Sequence, residues 1–213
     1  MLNGYRKTAD GWEWVRVTLR EEPVLGQFRV SLLEVRPKVW RSIVVPLDVS
    51  MYKFSRIIQE AMGWEGYHLY LFKAGGITIA EPDPEYGMEA LSARQTKLWQ
   101  VLDLAPRKFI YEYDFGDSWR HEVVLKDAVD PVEGARYPVC TGGARACPPE
   151  DCGGVGGYAE FLEAIQDPTH PDHDEMLEWA GGSFDPEAFS VEAANDRLKA
   201  ARLLRVLRRS DKA

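Results

Sequence analysis

Residues 107–125, RKFIYEYDFGDSWRHEVVL, decide the fold class. Aromatic and aliphatic side chains occupy every second position on both sides of a central DFGDS, and a period of two residues is typical of a half-buried strand. The first face carries Phe109, Tyr111, Tyr113 and Phe115, and the second carries Trp119, His121, Val123 and Leu125. Because Gly116 and Asp117 are typical turn residues, the stretch predicts an antiparallel β-hairpin.

Further strands are predicted before this hairpin. The segments 14–20 (WVRVTLR), 28–35 (FRVSLLEV) and 40–46 (WRSIVVP) alternate in the same way. Residues 68–79, HLYLFKAGGITI, predict a second hairpin that turns at two adjacent glycines. The chain is therefore expected to contain an antiparallel sheet of about five to six strands.

Helical periodicity predicts one early helix and a helical C-terminal part. Apolar residues recur at three- and four-residue spacing between Ser50, a good N-cap, and Gly63. Later helices are predicted from Gly157 to Asp167, from Asp172 to Trp179 and after Ser190, whereas residues 127–156 show no periodicity. Strands followed by helices predict an α+β fold with the early helix packed on the sheet.

The chain is expected to form a single domain over residues 1–213. Its length and its 45% hydrophobic content suit one substantial core. The predicted parts are an N-terminal extension at 1–25 with room for one strand, an α+β core at 26–198, and a basic C-terminal helix end at 199–213.

Composition also predicts a cytoplasmic protein without membrane association. No stretch approaches the roughly 18 apolar residues that a membrane span requires, and the N-terminus MLNGYRKTADGWEW lacks the apolar segment of a signal peptide. Three clustered cysteines are more typical of reduced thiols than of a disulfide framework.

The charge distribution argues against a large nucleic-acid interface. The net charge is −8, but from Arg197 onward seven basic residues face one acidic residue, so this tail carries +6 and the rest −14. Phosphate binding depends on clustered Lys and Arg. Nucleic acid is therefore an expected partner only through the basic tail, which can equally be a solvated helix end.

The cysteine cluster has a spacing close to that of zinc sites. Cys140, Cys147 and Cys152 are separated by six and four residues, and His121, His170 or His173 could supply an imidazole ligand. No second pair of cysteines follows, and a free cysteine is commonly a small buried apolar residue. Zinc and buried thiols are the two alternatives that the pattern leaves open.

An acidic group around the hairpin is a candidate catalytic site. Asp114, Asp117 and Glu150, together with His121, would suit Mg²⁺ or Mn²⁺ and a hydrolytic or phosphoryl-transfer reaction. The competing interpretation is structural, because the aspartates also suit a tight turn, and His121 shares its strand face with core residues.

Aromatic residues near the same segments suggest a partner-binding surface. Trp64, His68, Trp119 and Asp151 are the candidate contacts for a protein or peptide. Such aromatic residues are also common in cores, which is the alternative.

Several blocks in order resemble the plasmid pRiA4b ORF-3-like family. They are VWRSIVVP, IIQEAMGW, YEYDFGDSWRHEV, CPPEDCGG and FDPEAF, and the likeness covers roughly residues 26–198. The resemblance implies a small α+β fold, bacterial or archaeal origin, association with plasmids and mobile elements, and no established activity. The family pattern usually has histidines where Ser55 and Tyr70 stand, so any family site that used them is impaired here.

Some relatives are labelled resolvase-like, but the residues do not support recombination. None of the four histidines is followed by the arginine of an HxxR-type cluster. We predict a mobile-element-associated intracellular protein whose segment Tyr111–Tyr158 is the functional centre of a non-enzymatic protein- or peptide-binding module. The alternative is a metal-dependent hydrolase or phosphoryl-transfer enzyme acting on a phosphate ester or nucleic acid.

Overall fold

The computed structural model describes residues 2–8, 11–17, 25–81 and 90–206, and the side chains of residues 25–81 and 90–205. The strands are β1 (Leu2–Thr8), β2 (Gly11–Val17), β3 (Leu25–Leu32), β4 (Trp40–Pro46), β5 (Tyr70–Ala74), β6 (Ile77–Ala80), β7 (Leu91–Ser92), β8 (Lys108–Tyr113), β9 (Trp119–Val129), β10 (Arg136–Tyr137), β11 (Val139–Ala144) and β12 (Arg205–Val206). The helices are α1 (Met51–Met62), α2 (Leu98–Leu104), α3 (Gly154–Gln166), α4 (His173–Trp179) and α5 (Val191–Ala200).

One eight-stranded sheet forms the centre of the α+β fold that the sequence predicts. Its order is β11-β4-β3-β9-β8-β5-β6-β7, and all neighbours are antiparallel except β6 and β7. The predicted hairpin is confirmed as β8 and β9, with Tyr111 opposite His121 and Tyr113 opposite Trp119. The sheet therefore has more strands than the five to six expected. Its aromatic face carries Tyr111, Tyr113 and Trp119 beside the hairpin turn.

The first helix covers this face of the sheet and begins and ends where predicted. Ser50 Oγ accepts the N–H of Lys53 at 3.2 Å, and Gly63 ends the helix with φ +115°, a conformation that favours glycine. The helix buries Phe54, whose ring lies 5.3 Å from Phe28 and 6.0 Å from Phe72 of the sheet. The main core thus lies between α1 and the sheet.

Buried Arg41 connects the end of α1 to the edge of the sheet. Its guanidinium, on a residue only 2% exposed, donates to the carbonyl oxygens of Ala61 at 2.9 Å and Met62 at 3.3 Å. The last carbonyls of a helix lack partners within the helix, so Arg41 satisfies them. It also donates to Ala144 at 3.0 Å and Arg145 at 2.9 Å, and so fixes the chain where the CPPEDCGG loop begins.

The segment predicted to be irregular, residues 127–156, contains strands and the start of a helix, although residues 130–135 and 145–153 are irregular as predicted. β9 continues to Val129, β11 pairs with β4, and α3 begins at Gly154 rather than Gly157. The sequence VCTGGA of β11, an edge strand, shows no clear alternation of apolar and polar residues, and α2 spans only seven residues. These elements carry little pattern of their own, so the sequence-based prediction missed them.

Of the basic helix end predicted at 199–213, only Lys199 and Ala200 are helical within the described part of the chain. α5 ends at Ala200, and β12 instead pairs with β10. Arg197 donates to the carbonyl of Glu60 at 2.8 Å, and Arg205 pairs with Asp48. Residues 207–213, with the remaining basic residues, lie outside the described range.

The N-terminal strand predicted at 14–20 corresponds to β2, which ends at Val17 and pairs with β1; residues 18–20 lie outside the described range. Among the described residues, no helix combines the length and the apolar character needed to cross a membrane.

Candidate functional site

Three loops meet at one end of the sheet and form the candidate site. They are residues 64–69 after α1, the hairpin turn 114–118, and the loop 147–153. Trp64 Nε1 donates to the carbonyl of Pro148 at 3.1 Å, and Gly153 N–H donates to Asp117 Oδ2 at 3.2 Å. These bonds hold the loop 147–153, called the acidic loop because it carries Glu150 and Asp151, against the other two loops.

His68 lies at the centre of a group of carboxylates. Its Nε2 is 3.1 Å from Asp151 Oδ1, 3.6 Å from Asp114 Oδ2 and 3.9 Å from Glu150 Oε2. The donor atoms of His68, Asp114 and Asp151 all lie within 4.8 Å of one another. This group, with Glu150, is called the His68 cluster below.

Each carboxylate in the His68 cluster uses one oxygen for a bond that positions it. Asp114 Oδ1 accepts the N–H of Gly116 at 2.9 Å, and Asp151 Oδ2 accepts the hydroxyl of Tyr67 at 2.7 Å. Glu150 Oε1 accepts the hydroxyl of Tyr113 at 3.0 Å and the N–H of Glu65 at 2.8 Å. The second oxygen of each carboxylate is the one that faces His68.

The tyrosines that position these carboxylates are affected by them in turn. The hydrogen bond between Tyr67 and Asp151 raises the pKa of Tyr67 to about 12. Burial and the negative charge of Glu150 raise the pKa of Tyr113. Both hydroxyls therefore stay protonated at neutral pH and act as donors to the carboxylates.

The main chain at two of the carboxylates is also specialised. Asp114 has φ +59° and Asp151 has φ +57°, in the left-handed region where aspartate is tolerated better than most residues.

Imidazole nitrogen and carboxylate oxygen are ligands that divalent cations accept. Chemically, the His68 cluster could hold such an ion.

The predicted catalytic set is not assembled. Asp114 and Glu150 lie in the His68 cluster, but Asp117 is bonded to the loop main chain, and His121 lies in the core. Burial lowers the pKa of His121 to about 3, and its ring packs 5.2 Å from Trp64. His121 is 0% exposed, which argues against its predicted catalytic role.

The cysteines and the two later histidines are not brought together either. In the part of the chain that the structure describes, no group of three potential ligands includes a cysteine. Burial raises the pKa of Cys147, and mainly burial raises that of Cys152 to about 12, so both stay protonated. Cys140 is buried on β11. The geometry favours the buried-thiol alternative, and the zinc site stays a prediction.

His170 and His173 instead have local roles around α4. His173 Nδ1 lies 2.9 Å from the carbonyl of Ala164, which ties α4 to α3. His170 Nδ1 accepts the N–H of Asp172 at 3.2 Å, just before α4 begins. These contacts position α4, and within the described ranges neither histidine belongs to a group of three potential ligands.

Two of the four predicted partner contacts are buried. Trp64 and Trp119 are 3% and 0% exposed, so the structure contradicts their predicted contact with a partner and makes them core residues. His68 and Asp151 do reach the surface, next to Tyr67, which is 58% exposed. The surface part of the prediction is thereby reduced to the His68 cluster and its neighbours.

A cleft between α3 and α4 opens beside Asp151 and was not predicted from the sequence. Its volume is about 540 Å³. Its carboxylates are Asp151, Glu160, Glu163 and Asp172, and its apolar residues include Phe161, Met176 and Trp179. The signal for it in the sequence is the pair Glu160 and Glu163, which share a helix face, but exposed helices commonly carry such pairs.

The two positions where the family pattern usually has histidine lie outside the His68 cluster. Ser55 is fully buried, and its Oγ lies 2.9 Å from the hydroxyl of Tyr111 and accepts from Gln59 at 3.0 Å. Tyr70 is half-buried on β5. A small buried hydrogen-bond network thus stands at Ser55.

Gly157 is a site at which the docking of the acidic loop can be tested. A Cβ at Gly157 would lie 2.0 Å from the carbonyl oxygen of Cys152. Gly157→Ala is therefore expected to lower the free energy of unfolding by about 1–3 kcal/mol, measured by urea denaturation. Gly156→Ala is the matched control, because, its chain neighbours and the nearby helix backbone aside, no described atom lies within 4 Å of its Cβ. An alanine there is expected to stabilise α3 by about 0.5–1 kcal/mol. Equal effects of the two substitutions would contradict the close approach.

Comparisons with known proteins identify the family. The profile of the plasmid pRiA4b ORF-3-like protein family matches residues 25–193, so the chain belongs to this family. It is 38% identical over 171 residues to the uncharacterized protein y4hQ of Sinorhizobium fredii, covering 79% of this chain and 88% of that protein. It is also similar to the crystal structure of MM3350, a protein of unknown function from Methanosarcina mazei Go1. The TM-score is 0.73 at 33% identity, over 82% of this chain and 98% of that one.

Proposed function

We propose that the protein is a non-enzymatic binding module that acts inside the cell and recognises a basic segment of a partner protein in the cleft between α3 and α4. The lining of the cleft carries this proposal. Carboxylates stand over an apolar floor, and no lysine or arginine is among the described residues that line it. A lysine or arginine side chain has the matching two parts, an apolar stem and a cationic head.

The chemistry around the cleft supports a basic partner. Residues 1–196 carry a net charge of −14, which attracts a cationic segment over some distance. Trp179 lines the cleft and is 46% exposed, and the face of an indole ring attracts cations. Exposed Tyr67 extends the surface at Asp151, to which it is hydrogen-bonded. The three cysteines are free thiols, in keeping with a reducing compartment.

The alternative of a hydrolase that uses Asp114, Asp117, His121 and Glu150 is weakened because His121 lies in the core and only Asp114 and Glu150 lie together beside His68. General acid–base catalysis requires a group within hydrogen-bond reach of the substrate. His121 is fully buried and the side chain of Asp117 is bonded to Gly153. A binding role requires no general acid or base beside a substrate, so it fits the described arrangement better.

Binding can be tested with a fluorescein-labelled pool of short peptides in which two lysines or arginines stand among randomised neutral positions. We expect saturable fluorescence polarisation with this pool and none with a pool that carries glutamates instead. Reversing charge in Glu160→Lys/Glu163→Lys is expected to weaken binding at least about tenfold, since attraction is replaced by repulsion.

The matched control keeps the same charge change away from the cleft. Glu175→Lys/Glu178→Lys reverses two exposed charges of α4 that do not line it. This variant should bind the basic pool nearly as the unmodified protein does. Equal losses in the two variants would show that only the overall charge matters, and the cleft would not be the binding site.

A further inference from the structure

We propose that the His68 cluster binds one divalent metal ion, with His68 Nε2 and the facing oxygens of Asp114, Glu150 and Asp151 as ligands. The proposal goes beyond the peptide-binding function and does not depend on it. It rests on the shared direction of the four ligand atoms, since each carboxylate leaves one oxygen turned towards the imidazole.

The separations between these atoms suit a common ion. Two ligand atoms at about 2.1 Å from one metal lie roughly 3.0–3.4 Å apart for angles near those of octahedral or tetrahedral sites. His68 Nε2 lies 3.1 Å from Asp151 Oδ1 and 3.6 Å from Asp114 Oδ2. Glu150 Oε2 lies 3.9 Å from His68 Nε2 but outside the three-ligand group of His68, Asp114 and Asp151, so its side chain has to move to join them.

Ligand atoms of the cluster lack other partners. His68 Nε2 and Glu150 Oε2 are enclosed and make no hydrogen bond with the described residues. The side chain of Asp114 is only 8% exposed, and its Oδ2 faces His68 without accepting a hydrogen bond from any described residue. A buried polar atom without a partner destabilises the folded protein. One cation would satisfy all of these atoms together.

The charge of the cluster also calls for a cation. Three carboxylates converge on one imidazole, and among the described residues no lysine or arginine pairs with them within 4.0 Å. Like charges this close raise the free energy of the folded protein unless they are neutralised. A divalent ion supplies the missing positive charge.

The ligand types indicate the class of ion. One imidazole with carboxylate oxygens, and no thiolate, matches a borderline or hard divalent cation such as Mn²⁺ better than a soft ion. The hydroxyls of Tyr67 and Tyr113 hold two of the carboxylates from outside, as the outer shell of a metal site does. Asp151 is 60% exposed, so the ion would keep access to water on that side.

Mn²⁺ titration of chelator-treated full-length protein, followed by the electron paramagnetic resonance signal of the free ion, tests the proposal. We expect saturable loss of that signal at one ion per chain. Asp151→Asn and His68→Gln should each lower the affinity at least about tenfold, as expected for removal of a ligand. Asp151 is mostly exposed, so its variant should fold.

Two control variants distinguish the His68 cluster from neighbouring carboxylates and thiols. Asp172→Asn removes a carboxylate of the adjacent cleft that is not in the cluster and should leave Mn²⁺ affinity unchanged. Cys147→Ser should likewise have no effect, because no thiol belongs to the cluster. A free-ion signal that never saturates, or an affinity unchanged in both Asp151→Asn and His68→Gln, would overturn the proposal.

Discussion

Arg41→Met is expected to lower the free energy of unfolding by at least about 3 kcal/mol. The guanidinium donates to three fully buried carbonyls, those of Ala61, Met62 and Arg145. Methionine fills similar space but donates no hydrogen bond, and each buried carbonyl left without a donor costs about 1–3 kcal/mol. Urea denaturation followed by far-ultraviolet circular dichroism measures the loss.

The matched control for Arg41 is Arg29→Met on the neighbouring strand. Arg29 is packed on an aromatic ring, with its guanidinium carbon 4.1 Å from the ring centre of Trp40, as that of Arg41 is 4.3 Å from the ring centre of Phe189. Among the described residues, however, the side chain of Arg29 donates to Ser31 alone. Its removal is expected to cost less than about 1 kcal/mol. A similar loss in both variants would mean that the charge, and not the bonded carbonyls, is what matters at Arg41.

The effect of Arg41 should extend to the candidate site. The carbonyls of Ala144 and Arg145 are held by this side chain just before the loop that carries Glu150 and Asp151. A variant folded at low temperature is therefore expected to bind Mn²⁺ more weakly, even though Arg41 is not near the ligands. The buried Arg41 guanidinium thus contributes both to the stability of the fold and to the geometry of the candidate site.

The elements that the sequence predicts well are those that carry their own pattern. The strand WRSIVVP and α1, with its cap Ser50 and its end at Gly63, coincide with their predicted positions. Both combine a clear hydrophobic period with distinctive ends. β11 carries neither, because its sequence VCTGGA forms a strand only through pairing with β4. Tertiary contacts determine such elements, and a local pattern cannot reveal them.

The His68 cluster could be predicted only in part. Asp114, Glu150 and Asp151 stand out in the sequence because they lie in loops with turn residues, where functional groups are frequent. Their fourth member, His68, comes from a third loop, and nothing local links it to residues 46 or more positions away. His121 was the nearer histidine in sequence, but the two-residue period of β9 turns it into the core together with Trp119.

The core position of His121 makes the stability of the fold depend on pH. Burial lowers its pKa from about 6.5 to about 3, and main-chain groups near Tyr111 and Trp119 oppose this shift only in part. In the unfolded chain the imidazole binds a proton below about pH 6.5, whereas in the folded protein it does so only near pH 3. Between these values unfolding takes up a proton, so falling pH favours the unfolded chain.

The contribution of His121 to stability is therefore fully present above pH 6.5 and is lost as pH falls towards 3. His121→Leu, of similar volume, is expected to change stability by less than about 1.5 kcal/mol at pH 8. As the pH is lowered, the free energy of unfolding of the variant should rise relative to that of the unmodified protein by up to about 1.4 kcal/mol per pH unit. Urea denaturation at a series of pH values measures this difference.

The difference in free energy of unfolding between His121→Leu and the unmodified protein reports on His121 alone. The carboxylates titrate in both proteins, so their contributions cancel in that difference. His170→Gln is the matched control, since His170 is partly exposed and its removal should leave the pH dependence almost unchanged. If the difference between His121→Leu and the unmodified protein stayed constant from pH 8 to pH 4, the imidazole would have to be protonated in the folded core. A buried acidic partner would then be needed beside the rings of Trp64 and Tyr111, whereas no carboxylate is among the groups that shift the pKa of His121 in the described structure.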